Sequence, residues 1–121
     1  MPQAVREDDL HIGLAQWLEL SRLPMWWWHT ANESNVPPQY RAKLKKKGVK
    51  PGIPDFCFLS SIGLFASLEL KKADGDVKAA QVAWDCFCGR ALVPHKIVFS
   101  NDLFFVIEET KKLIRRIGVR C

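Results

Sequence analysis

Two apolar runs, DFCFL and LFASLEL, sit four residues apart within PGIPDFCFLSSIGLFASLELKK (residues 51–72), and each carries one acid. Asp55 heads the first run, and Glu69 lies near the end of the second, two residues before Lys71. If residues 55–60 and 64–70 pair as an antiparallel hairpin turning around Ile62, the acids are direct cross-strand neighbours. Their Cβ atoms then lie roughly 4.5–5.5 Å apart. Period two puts Lys71 on the same face as Glu69. A slip of one residue would send one acid to the other face, so the turn decides the chemistry.

Two carboxylates side by side repel, and a lysine offsets only part of that repulsion. A divalent cation with oxygen ligands does more, and Mg²⁺ typically uses one or two carboxylates plus waters and a substrate phosphate. An ion placed there would activate water and stabilise charge growing on a phosphodiester. Lys71 would orient the attacking water or neutralise the developing charge. The chemistry this pattern suits is phosphodiester hydrolysis.

The rest of the chain supplies a scaffold. Residues 5–21 show a helical stripe of Leu10, Leu14, Trp17 and Leu18, with acids in the first turn and Pro24 as the stop. MWWWHTAN reads as a strand whose tryptophans serve core and interface packing rather than base stacking. NESNVPP is a turn-rich loop, and QYRAKLKKKG is a short basic helix closed by Gly48. After the hairpin, VKAAQVAWDCFCGR reads as an amphipathic helix with Val77, Ala80 or Gln81, Trp84 and Phe87 on one stripe. HKIVFS is a strand, and NDLFFVIEETKKLIRRIG is a final helix with Asn101 as its cap. The expected order is α, β, α, β, β, α, β, α, in one domain spanning 1–121 with one modest core.

Charge gives the second constraint. The formal net charge is +5, and its distribution says more than its size. Arg41, Lys43, Lys45, Lys46, Lys47 and Lys50 fall in one stretch without an acid, and Lys111, Lys112, Arg115, Arg116 and Arg120 close the chain. Clusters of this kind suit phosphate contacts without base specificity. The four cysteines include no CxxC pair and read as buried, reduced thiols rather than a zinc site. His29 and His95 lack metal-ligand spacing, and all three histidines, His11 included, read as structural. No apolar run approaches a membrane span and the N-terminal residues are polar, so a cytoplasmic setting is expected.

Taken together these motifs resemble the PD-(D/E)xK nuclease superfamily, and within it the VRR-NUC (virus-type replication-repair nuclease) family. The similarity covers about residues 7–113. It includes Glu7 opening the first helix, the strand end His29-Thr30-Ala31-Asn32, and the basic run K-x-K-K-x-G-V-K-x-G-x-P-D ending at Asp55. It continues through Glu69-Leu70-Lys71, the turn Asp74-Gly75, and a helix carrying Ala79 or Ala80, Gln81 and Trp84. The triple tryptophan and the glycine-free NESNVPP loop depart from the family pattern.

The resemblance implies an α/β fold with a restriction-endonuclease-like core, a mixed central sheet flanked by helices. It implies a Mg²⁺- or Mn²⁺-dependent endonuclease acting on branched DNA such as four-way junctions, in replication or repair in a bacterial or phage-infected cell, and working as a homodimer. Asp55 and Glu69 would be metal ligands, with the Leu70 carbonyl completing the inner shell and Glu7 reaching it from the first helix. Lys71 would be the catalytic lysine and Gln81 a supporting residue. Two other readings compete with it. One is a DNA-binding or assembly module that keeps the fold without catalysis, and the other is a structural dimer with no nucleic-acid role.

Overall fold

Four helices and four strands alternate in the expected order in the computed structural model, which describes residues 6–30 and 36–121. They are α1 (Glu7–Ser21), β1 (Met25–His29), α2 (Pro38–Lys46), β2 (Phe56–Ser60), β3 (Phe65–Lys71), α3 (Ala79–Ala91), β4 (His95–Phe99) and α4 (Leu103–Arg115). Asn32 and most of the NESNVPP loop lie outside the described residues.

The strands form one mixed sheet in the order β1-β2-β3-β4. The first two pairs are antiparallel and the last is parallel. A short turn joins antiparallel β2 and β3, the long connection between antiparallel β1 and β2 carries α2, and parallel β3 and β4 need a crossover, which α3 provides. The β2–β3 register pairs Phe56 with Leu68 and Leu59 with Phe65, so the hairpin is centred on Ile62 as expected. Gly63 adopts φ 82° in the turn, a left-handed conformation that glycine accepts without a Cβ penalty.

Period two then sorts the hairpin into two faces. Phe56 and Phe58 of β2 and Ala66, Leu68 and Leu70 of β3 join Val98 in the core. They pack beneath Leu10, Leu14 and Leu18 of α1 and Val106, Leu113 and Ile114 of α4. Each such leucine contributes roughly 1.5–3 kcal/mol on full burial. The alternate residues of β3, Ser67 and Glu69, face α3 and are buried as well. β3 is thus covered on both sides, which places Glu69 in a low-dielectric setting.

Local details differ from the expectations in four places. Phe87 is 58% exposed, and Cys88 takes the buried position on α3, because the helix presents Gln81, Trp84 and Cys88 to the sheet. Trp27 packs against the core beside Phe56, but Trp26 and Trp28 point to the opposite face and are 78% and 43% exposed. α3 lies over β3 and β4 and leaves that side of edge strand β1 open.

The N-cap of α4 is Asp102, whose carboxylate accepts from the Phe104 amide, while Asn101 Oδ1 accepts from the Ala73 amide. Only Cys57 and Cys88 are buried; Cys86 and Cys121 are exposed, and all four are free thiols. Among the described residues no helix is long and apolar enough to cross a membrane.

Candidate active site

Asp55 sits immediately before β2, one step beyond the last regular β2–β3 pair, and the ladder geometry carries it opposite Glu69. Its carboxylate Oδ2 accepts a 2.7 Å hydrogen bond from the Leu70 amide, and its carbonyl accepts from the Thr30 amide at 2.8 Å. The acid is therefore held by β3 on one side and by the end of β1 on the other. The approach to it is also constrained. Gly52 (φ 77°) comes so close to α3 that a Cβ there would lie 2.5 Å from the Ala80 carbonyl oxygen. Only glycine allows that contact, and it sets the PGIP segment against the first turn of α3.

Glu69 is 4% exposed. Gln81 Nε2 donates to its Oε1 at 2.8 Å, and Lys71 Nζ lies 3.9 Å from the same oxygen. Burial pushes the Glu69 carboxyl up to about 8, and the neighbouring Asp55 carboxylate adds to the rise, while Lys71 offsets part of it. A carboxyl that holds its proton at neutral pH beside a second acid is an oxygen donor set short of one positive charge. A divalent cation fits that deficit.

The four residues assigned to catalysis, Asp55, Glu69, Lys71 and Gln81, are thus brought together at one end of the hairpin. Leu70 touches the site through its amide, which donates to Asp55; the residue itself is fully buried. Glu7 lies at the start of α1, with Oε1 3.9 Å from His11 Nε2.

Two histidines read as structural are also in this cluster. His11 Nε2 lies 3.7 Å from Asp55 Oδ2, and His11 Nδ1 is 2.8 Å from His29 Nε2. His11, His29 and Asp55 each place a possible ligand atom within 4.8 Å of the other two. Burial, and then the neighbouring His11, hold the His29 imidazole below its usual value. One signal for His11 was present in the chain, because Glu7 and His11 are four residues apart and share a helix face. His29 offered no spacing signal for its contact with His11, since its place beside α1 depends on how helix and sheet cross. His95 is hydrogen-bonded within the fold: its Nδ1 is 2.7 Å from Ser67 Oγ, which also accepts from Trp84 Nε1 at 3.1 Å.

The basic segment precedes Asp55 directly in the chain. Arg41, Lys43, Lys45, Lys46, Lys47 and Lys50 are all exposed, and none pairs with a described acid. The second basic cluster is largely engaged within the fold. Lys111 pairs with Glu108 at 3.0 Å and lies over the Trp17 ring, Lys112 pairs with Glu109, and Arg115 donates to the Cys121 carbonyl.

No protein-family model matches the chain, and neither the curated proteins nor the solved structures contain a significant match to it.

Proposed function

We propose that this chain is a divalent-metal-dependent DNA endonuclease of the VRR-NUC type, with a PD-(D/E)xK core. The observation that carries this reading is the convergence of Asp55, Glu69, Lys71 and Gln81 around one buried, proton-holding carboxyl. Asp55 and Glu69 would hold Mg²⁺ or Mn²⁺, which when bound polarises a phosphate oxygen and acidifies water. Gln81 keeps Glu69 turned toward Asp55. The Lys71 ammonium sits beside Glu69 with its side chain only 11% exposed, where it would orient the attacking water and neutralise charge on the phosphoryl oxygens. Hydrolysis forms one P–O bond from water and breaks the P–O bond to a sugar oxygen, which leaves with a proton.

The exposed cations from Arg41 to Lys50 would bind phosphates flanking the scissile bond without reading bases. The Trp26 and Trp28 face, open beside edge strand β1, is where a second subunit of the expected homodimer would pack. Branched DNA, with four-way junctions first, is the substrate class, and replication or repair in the cytoplasm is the setting.

The test is cleavage of labelled four-way-junction, flap and plain duplex DNA with Mg²⁺ or Mn²⁺, beside an EDTA control and Asp55→Ala. Cutting that needs the ion and vanishes in the variant supports the nuclease. DNA that is bound but never cut would overturn it in favour of a binding module.

A further inference from the structure

His11 Nε2 is buried and has no hydrogen-bond partner among the described residues. The nearest acceptors, Asp55 Oδ2 at 3.7 Å and Glu7 Oε1 at 3.9 Å, are beyond hydrogen-bond reach. The other ring nitrogen, Nδ1, shares a single hydrogen bond with His29 Nε2 at 2.8 Å. One proton serves that bond, so a neutral His11 has two arrangements. With the proton on Nδ1, Nε2 is a bare lone pair aimed between two carboxylates. With the proton on Nε2, that N–H has no acceptor in range. Either leaves a buried polar atom unmet, which is unfavourable.

A cation between Nε2 and the carboxylates removes this deficit in the first arrangement. Imidazole and carboxylate ligands bind Zn²⁺-sized ions at about 2.0–2.2 Å, so donors 3.7 Å apart need only a small closing movement to share one ion. His29 then does what partners of metal-bound imidazoles commonly do. It accepts the Nδ1 proton, fixes the tautomer and orients the ring.

We propose that His11, through Nε2, ligates the divalent ion held at Asp55, with Glu7 as a third donor, and that this makes the site favour a transition ion such as Mn²⁺ or Zn²⁺ over Mg²⁺. The inference rests on the metal-binding role given to Asp55 above. Mg²⁺ keeps oxygen ligands and several waters, whereas an imidazole donor suits the first-row transition ions. His29 is a positioning residue for His11.

The experiment is pulsed electron paramagnetic resonance on the full chain loaded with Mn²⁺ alone, together with Mn²⁺ and Mg²⁺ titrations. The native protein is expected to show ¹⁴N modulation from one directly bound imidazole. His11→Gln is expected to lose that modulation while still binding Mn²⁺ through the acids. Its Mn²⁺ affinity should fall about tenfold or more, given that losing even an outer partner costs about 10–100-fold, with Mg²⁺ affinity unchanged. His29→Gln, whose amide oxygen can still accept from Nδ1, should keep Mn²⁺ affinity that His29→Phe loses.

Mn²⁺ bound by the native protein without nitrogen coupling overturns this inference and leaves the carboxylate site standing. The native spectrum decides this even where a variant folds poorly. No Mn²⁺ binding at all overturns both the inference and the metal-dependent nuclease.

Discussion

Gln81 Nε2 donates a 2.8 Å hydrogen bond to Glu69 Oε1, joining the first turn of α3 to the interior of the sheet. The other end of the same amide is occupied too, because Gln81 Oε1 accepts from the Lys78 amide at 2.9 Å and caps the helix start. One side chain therefore fixes both a helix terminus and the orientation of a buried acid. Gln81→Ala is expected to lower thermal stability by about 1 kcal/mol and to slow metal-dependent cleavage more than it weakens DNA binding. Melting curves and single-turnover cleavage measured on the same preparation check both parts.

The raised Glu69 carboxyl makes the ion-free protein sensitive to pH in a definite direction. The folded chain keeps a proton up to about pH 8, whereas the unfolded chain releases it near the ordinary value of 4.5. The stability contributed by this proton is full below 4.5 and is lost as pH rises through about 8, a swing on the order of a few kcal/mol. His29 and His95, both held below 6.5, act with the opposite sign. The group is therefore isolated by comparing native protein with Glu69→Gln between pH 5 and pH 9. The native chain should lose stability relative to the variant as pH rises; parallel curves would contradict the assignment.

Ion binding should release that same proton. At pH 7 about one proton is expected to leave Glu69 per Mn²⁺ bound, and almost none at pH 9. Calorimetric titration in two buffers of different ionisation enthalpy measures it directly.

The hydrogen bond from the Leu70 amide to Asp55 separates the structural and electrostatic parts of that acid. Asp55→Asn keeps an oxygen acceptor and removes the charge, whereas Asp55→Ala removes both. Asp55→Asn is expected to unfold in urea close to the native midpoint, and Asp55→Ala to lose about 1.5–3 kcal/mol. Cleavage should disappear in both.

Ser67 is a purely structural counterpart on the same strand face. Its hydroxyl accepts from Trp84 Nε1 and bonds His95 Nδ1, so Ser67→Ala leaves two polar groups without a partner. The expected loss is about 1–3 kcal/mol in urea unfolding, with Mn²⁺ binding retained.

For the basic segment, replacing Lys45, Lys46 and Lys47 by alanine should weaken binding to all DNA sequences alike. The slope of log affinity against log salt should shrink by about 0.9 for each phosphate contact removed. A change in sequence preference instead would contradict a backbone-only role.

Much of this was legible in the chain because it follows from local geometry. Strict alternation and a turn centred on Ile62 define which residues of 55–71 share a face, so the opposition of Asp55 and Glu69 and the position of Lys71 needed no tertiary information. The 3.6-residue stripe of Leu10, Leu14 and Leu18 likewise defined the buried side of α1. What only the tertiary structure decided are the meetings between elements far apart in sequence. His11 and His29 reach Asp55 because α1 crosses the sheet beside the end of β1, and eighteen residues of separation carry no periodic signal for that contact. Trp26 and Trp28 are open because α3 covers β3 and β4 rather than β1, and Lys111 lies over the Trp17 ring because α4 packs beside α1. Residue spacing sets the face on which a side chain lies, but the packing of helices over the sheet sets what that face meets.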